Sequence, residues 1–141
     1  MCKLMSISLF QVLLITSSAH PERWIVPGGK MQLNESPEFS AMREALEEGG
    51  AIGVLGRYLG TFDNAERRHR TKVFVLYVNR LADEYEDLER RKRKWFSVDE
   101  AHKLLRAYKP IQANYIVALK QTQNKENCDS KQQLSTEDDS N

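Results

Sequence analysis

Two cysteines in 141 residues, Cys2 and Cys128, stand in opposite end segments of the chain. That count and separation exclude a disulfide framework and a paired-cysteine metal site, and the usage suits a reducing compartment. No apolar run is long enough to cross a bilayer as a helix. The net charge is only +1, so the chain as a whole has no pull on nucleic acid or on a membrane surface. Internal repeats are absent. The N-terminus, Lys3 and then SISLFQVLLITSSA from Ser6, has the outline of a weak secretory leader. It is short and broken by Gln11, and a strand is the expected reading. A length of 141 residues with 40% apolar content suits one domain, expected over residues 1–121. From about Thr122 to residue 141 the composition is polar without periodicity, and a disordered tail is expected there.

What the chain does have is a spaced set of glycines, carboxylates and one arginine over residues 29–51, GKMQLNESPEFSAMREALEEGGA. Ser36-Pro37 is a helix start and Gly49-Gly50 a helix stop, which predicts a helix over 37–48. At about 100° per residue, Phe39, Met42, Ala45 and Leu46 share an arc expected to be core, and Glu44, Glu47 and Glu48 share the opposite one. A bare REALEE would read as a solvated acidic face. Like charges within one turn repel, however, and a hard divalent cation held by carboxylates, water and substrate phosphates would relieve them. Arg43, one turn before Glu47, is placed to hold that carboxylate with a forked hydrogen bond.

Strands are expected near 10–16, 23–26, 53–62, 70–79 and 94–96. Ser97-Val98-Asp99-Glu100 has capping-box form and opens a helix to about Ala107, and Pro110 opens a last helix with Ile111, Tyr115, Ala118 and Leu119 as its apolar stripe. This pattern implies an α/β (α+β) architecture, a mixed sheet between helices. Two basic runs, Arg67-Arg68-His69-Arg70 and Arg90-Arg91-Lys92-Arg93-Lys94, precede strands, and Lys109 precedes the last helix. Alone they read as solvated surface, or as a nuclear-import or RNA patch. Beside a phosphate-handling metal site they read as a cradle for several anions.

The spacing G-x5-E-x7-R-E-A-L-E-E-G-G-A resembles the Nudix box, with Ala45 and Ala51 where bulkier apolar residues are usual. LLITSSAHPERWIVPGGKM, GRYLGTFDN, RRHRTKVFVLYV, RRKRKWFSVDEA and YKPIQANY further resemble the diphosphoinositol polyphosphate phosphohydrolase subfamily over about three quarters of the chain. The resemblance implies an α/β/α sandwich and hydrolysis of phosphoanhydride bonds in diphosphoinositol polyphosphates and dinucleoside polyphosphates. The alternatives are an RNA-cap or polyphosphate hydrolase, or an impaired variant that binds inositol phosphates or RNA without turnover. It implies Mg²⁺, with Mn²⁺ as the substitute, on the Gly28 carbonyl, Glu44 and Glu48; Glu47 as base, oriented by Arg43; and substrate phosphates on Ser17, Ser18, Arg67, Arg68, His69, Arg91 and Lys109. Glu35 is expected to support the loop or an outer-shell metal contact. A monomer without membrane attachment is expected, in the cytoplasm and also the nucleus.

Three departures stand out. Ala19 replaces an arginine after Ser17-Ser18, Lys30 replaces a third glycine, and MCKLMSISLF stands where the subfamily has a longer cationic segment with an additional strand. A divergent or truncated N-terminus and an unpaired sheet edge are therefore expected.

Overall fold

The computed structural model describes residues 1–122, and the polar tail read from the sequence falls, beyond Thr122, outside the described residues. The chain opens with a hairpin that the sequence reading did not contain as such: β1 (Cys2–Ser8) turns at Leu9-Phe10 into β2 (Gln11–Thr16). Phe10, expected inside a strand, is in the turn. Ser8 faces Gln11 across the ladder, and both turn residues have positive φ, 36° and 68°. A two-residue loop with this handedness matches the right-handed twist of the strands it joins.

The remaining elements are β3 (Trp24–Ile25), β4 (Gly28–Gly29), α1 (Pro37–Gly49), β5 (Ala51–Asn64), β6 (His69–Leu81), β7 (Arg93–Ser97), α2 (Val98–Tyr108) and a helix α3 over 110–122. The sheet is mixed, in the order β3-β2-β1-β6-β5, with β4 on β1 and β7 on β2. β1 runs parallel to β6 over Cys2–Ile7 and antiparallel to β2 only at Ile7 and Ser8. The two hairpin strands therefore diverge, and Trp24 to Gly29 fills the wedge: β3 pairs with the end of β2, and β4 with the start of β1. The expected unpaired edge at the N-terminus is thus corrected. The residues in place of the longer segment form an internal strand with neighbours on both sides.

Alternate strand residues feed two cores, as period-two geometry requires. Met5, Val12, Leu14, Val73 and Val75 pack with Ala101, Leu105, Ile116 and Leu119 of α2 and α3. Cys2, Leu4, Leu13, Phe74 and Leu76 pack with Ala41 and Ala45 of α1 on the other face. This is the expected sandwich of sheet between helices.

The helix bounds follow their caps. Ser36 Oγ accepts from Phe39 N at 3.1 Å, and Gly50, at φ 63°, closes α1 with its N–H on the Leu46 carbonyl. Ser97 Oγ accepts from Glu100 N at 3.2 Å to open α2. Of the arc expected to be the core face of α1, only Ala45 is buried. Ser40, Ala41, Ala45 and Gly49 are buried, whereas Phe39 is 61% exposed and Met42 and Leu46 also face outward. Small residues let the helix lie close on the sheet, so the true stripe is one position removed from the bulky one.

Candidate active site

Close packing of α1 draws its carboxylates inward. Glu44 and Glu48, one turn apart, border the buried stripe and are each 13% exposed, while Glu47 points further out at 33%. The β4 segment runs against them. A Cβ on Gly29 would stand 2.7 Å from Glu44 Oε1, so only glycine lets that carboxylate lie on the loop. Gly28 N donates to Glu48 Oε2 at 2.9 Å. On its other side Gly28 is pressed by Lys3, whose Cγ would lie 2.2 Å from a Cβ there.

Arg43 organises the carboxylates, though not as expected. Its fork goes to Glu35, Nε to Oε2 at 2.8 Å and Nη2 to Oε1 at 3.0 Å, while Nη1 alone serves Glu44 at 3.0 Å and Glu47 at 3.1 Å. Glu35 also accepts from Gln32 N at 2.6 Å, so it ties the loop before α1 to the arginine. These bonds, Arg43 foremost, hold the Glu35 carboxyl below the usual carboxylate range. Glu48 moves the other way. Burial pushes it up to about 7, against the opposing pull of the Gly28 amide, Arg91 and Lys3.

Among the described residues, no three His, Cys, Asp or Glu side chains stand close enough together to hold a metal ion. The donors that are present nevertheless suit one. Among the described residues, each of Glu44 and Glu48 spends one oxygen on a protein donor and leaves the other without a hydrogen bond, that of Glu48 standing 3.9 Å from Arg91 Nη2, beside a glycine loop that a side chain would block. Magnesium is held by a few such hard oxygens, with water and substrate completing its shell.

On the α2–α3 side of the sheet lies a cavity of about 490 Å³ whose lining includes Lys3, Arg67, His69, Lys109, Gln112 and Tyr115. Three residues expected to meet phosphate, Arg67, His69 and Lys109, come together here from the β5–β6 turn, the start of β6 and the α2–α3 junction. His69 Nδ1 is buried without a hydrogen-bond partner in the described structure. Burial, then Arg67 and Arg23, push the Lys109 ammonium below its ordinary value. Gln112 Oε1 accepts from Val26 N at 2.9 Å and fixes the link from β3 to Gly28.

Ser17, Ser18, Arg68 and Arg91 do not line the cavity. Ser17 Oγ accepts from His20 N at 3.2 Å in the turn after β2, and Arg68 sits exposed at φ 53° in the β5–β6 turn. Arg91 Nε binds Asp87 at 3.0 Å, its Nη1 donates to the Thr16 carbonyl, and its Nη2 is 3.9 Å from Glu48. Arg93, two residues on, donates to the Gly49 carbonyl at 3.1 Å and lies over Tyr85. Arg93 of the RRKRK run therefore braces the end of α1. Sequence reasoning missed Lys3, and the only signal for it was one cation inside an apolar strand.

Residues 8–119 match the NUDIX domain family. The chain is 50% identical over 113 residues to mouse diphosphoinositol polyphosphate phosphohydrolase 3-alpha, covering 78% of this chain and 69% of that protein. Human diphosphoinositol polyphosphate phosphohydrolase 2 is 48% identical over 112 residues, 78% of this chain and 62% of its own length. In fold the chain is similar to an Ap4A hydrolase of C. elegans, with a TM-score of 0.70 at 18% identity over 87% of this chain and 97% of that one. The Arg43-centred carboxylates, the glycine loop against them and these matches agree: the chain belongs to the NUDIX family, among the diphosphoinositol polyphosphate phosphohydrolases.

Proposed function

We propose that the protein hydrolyses phosphoanhydride bonds in diphosphoinositol polyphosphates, and also in dinucleoside polyphosphates, with magnesium as its cofactor and manganese as the substitute. One observation carries this reading. Lys3 lines the cation-rich cavity and pairs across the ladder with Gly28, whose amide binds Glu48. The cavity and the carboxylates thus meet at the Lys3–Gly28 ladder pair, although Glu44, Glu47 and Glu48 do not themselves line the cavity.

Glu44, Glu48 and the Gly28 carbonyl are the residues that would hold the ion. Bound there, it would polarise phosphate oxygens and acidify the attacking water. Arg67, His69 and Lys109 grip phosphates and fix the anhydride against the β4 loop, since charge-assisted contacts from separate loops set orientation as well as affinity. Glu47, the most exposed of Glu44, Glu47 and Glu48, takes the proton from water. Arg43 keeps it aimed while compensating its charge. Arg68, Ser17 and Ser18 are left to meet outlying phosphates, whereas Arg91 is held by Asp87 and the Thr16 carbonyl. The reading places a monomer in the cytoplasm and nucleus.

The test is phosphate release from a diphosphoinositol polyphosphate with added magnesium and with chelator. Turnover that is abolished by chelator is expected. Tight binding without turnover under either condition would replace the enzyme with a binding module.

A further inference from the structure

Cations are only part of the cavity wall. Ile25, Phe62, Tyr108 and Ile111 line it as well. Phe62 and Ile111 pack against the core beneath, and Phe62 meets Tyr115 edge to face with ring centroids 4.7 Å apart. Tyr108 is placed differently. It is the last residue of α2, directly before Lys109, and it lines the cavity while remaining 56% exposed. Its ring is held from one side by the Arg23 guanidinium, whose central carbon stands 4.2 Å from the ring centroid. Arg23 Nε has no hydrogen-bond partner among the described residues, and Glu22 Oε1 stands 3.5 Å from it. The aromatic ring is therefore a main contact of this guanidinium.

A bare phosphate chain, or an inositol phosphorylated at every carbon, carries charge on all sides and has little use for a flat aromatic surface. A nucleotide joins a polyanion to a flat π system. Stacking of a base needs a ring that is presented to the ligand and kept in one plane. Tyr108 meets both conditions, because cation–π attraction to Arg23 fixes the ring before a ligand arrives. Lys109, the next residue, and Arg67 line the same cavity, so one junction offers an aromatic platform beside phosphate-binding cations. We propose that Tyr108, positioned by Arg23, stacks the base of a nucleoside polyphosphate and so sets the preference between dinucleoside and inositol substrates. This rests on the reading of the cavity as a polyphosphate site.

The test is calorimetric titration of the full chain in chelator with ATP and with inorganic tripolyphosphate. The second ligand has at least as much charge and no base. The parent is expected to bind ATP at least about fivefold more tightly. Tyr108→Leu should abolish that preference by raising the Kd for ATP, with tripolyphosphate and inositol hexakisphosphate within twofold of the parent. Tyr108→Trp should keep the preference, and Arg23→Gln should reduce it, the ratio of the two affinities cancelling the plain loss of charge. In the parent, nuclear Overhauser contacts should join the adenine protons to the Tyr108 ring, which decides the matter even if a variant folds poorly. A parent that binds none of the three polyanions overturns the polyphosphate reading itself. A parent that binds ATP no better than tripolyphosphate, a Tyr108→Leu variant that weakens all three alike, or an adenine without contacts to Tyr108 overturns the platform alone. An Arg23→Gln variant with the full preference overturns the positioning role of Arg23.

Discussion

Arg43 grips Glu35 with two nitrogens, at 2.8 and 3.0 Å, and reaches Glu44 and Glu47 with the third. The loop from β4 to α1 is thereby tied to the helix that carries the carboxylates. Glu35→Gln keeps the shape but removes the charge on which the fork depends. Activity should fall roughly 10–100-fold, as when outer partners of a metal site are lost. Amide exchange over residues 30–35 should quicken. An unchanged exchange pattern with full activity would show that the fork is incidental.

Glu47 shares the same arginine but stands apart from the buried pair. Glu47→Gln should reduce turnover on the order of 10²–10⁴ and leave the melting temperature in place, because its side chain is the least buried of the three. A loss within about threefold would remove it as the base.

The caps, the three helices and the layering were legible in the sequence because each rests on local chemistry: Ser36-Pro37, Gly50, Ser97, Pro110. The face of α1 was not. Phe39, Met42, Ala45 and Leu46 form a convincing apolar arc, and only the sheet decides that the helix seats on Ala45 and Ala41 and turns the three bulky residues outward. β1 and β4 were invisible for a related reason. Neither has an alternating pattern of its own, and both exist because their neighbours in the sheet supply hydrogen bonds. The site followed the same division. Glu44, Glu47 and Glu48 were given by spacing, whereas the partner of the Arg43 fork, the tie of Arg91 to Asp87 and the burial of Lys3 depend on contacts between distant segments.

The β1–β2 turn holds two bulky residues where glycine or asparagine is at ease. Leu9 and Phe10 have positive φ and are 89% and 80% exposed. Left-handed backbone costs an ordinary residue about 1–2 kcal/mol, and nothing is gained by burial here. Replacing the pair by Asn-Gly should raise the unfolding free energy by about 1–2 kcal/mol in urea titrations, without a change in activity. A destabilised variant would mean that the turn has another geometry.

Glu48, pushed up to about 7 by burial, should leave a signature in stability. Its folded-state pKa lies above the unfolded value of 4.5, so the native protein binds the extra proton between these limits. Unfolding free energy of the metal-free protein should therefore fall as pH rises from about 4.5 to about 7, by on the order of 2–3 kcal/mol from this group. Lys3, pushed down to about 8, titrates above that window. The difference between parent and Glu48→Gln, melted in chelator, isolates the effect, and a difference that is flat with pH would refute it. Magnesium affinity should rise through the same window, since the ion displaces the proton.

The last expectation separates cavity cations from those spent on the fold. Arg67 and Lys109 line the cavity, whereas Arg91 is bound to Asp87 and to the Thr16 carbonyl. Arg67→Ala or Lys109→Ala removes a charge-assisted contact worth about 1.5–3 kcal/mol. KM for an inositol diphosphate should rise roughly tenfold or more, with kcat changed little and a shallower dependence on salt. Arg91→Ala should act differently. It frees Asp87, takes a cation from beside Glu48 and loosens the loop at the end of α1, so the melting temperature should drop and Glu48 should hold its proton to higher pH. Lys120→Ala, which breaks only an exposed pair with Asp99, should change neither property measurably. If Arg91→Ala raises KM at unaltered stability, as the cavity variants are expected to do, then Arg91 leaves Asp87 to meet substrate and belongs with the phosphate-binding residues after all.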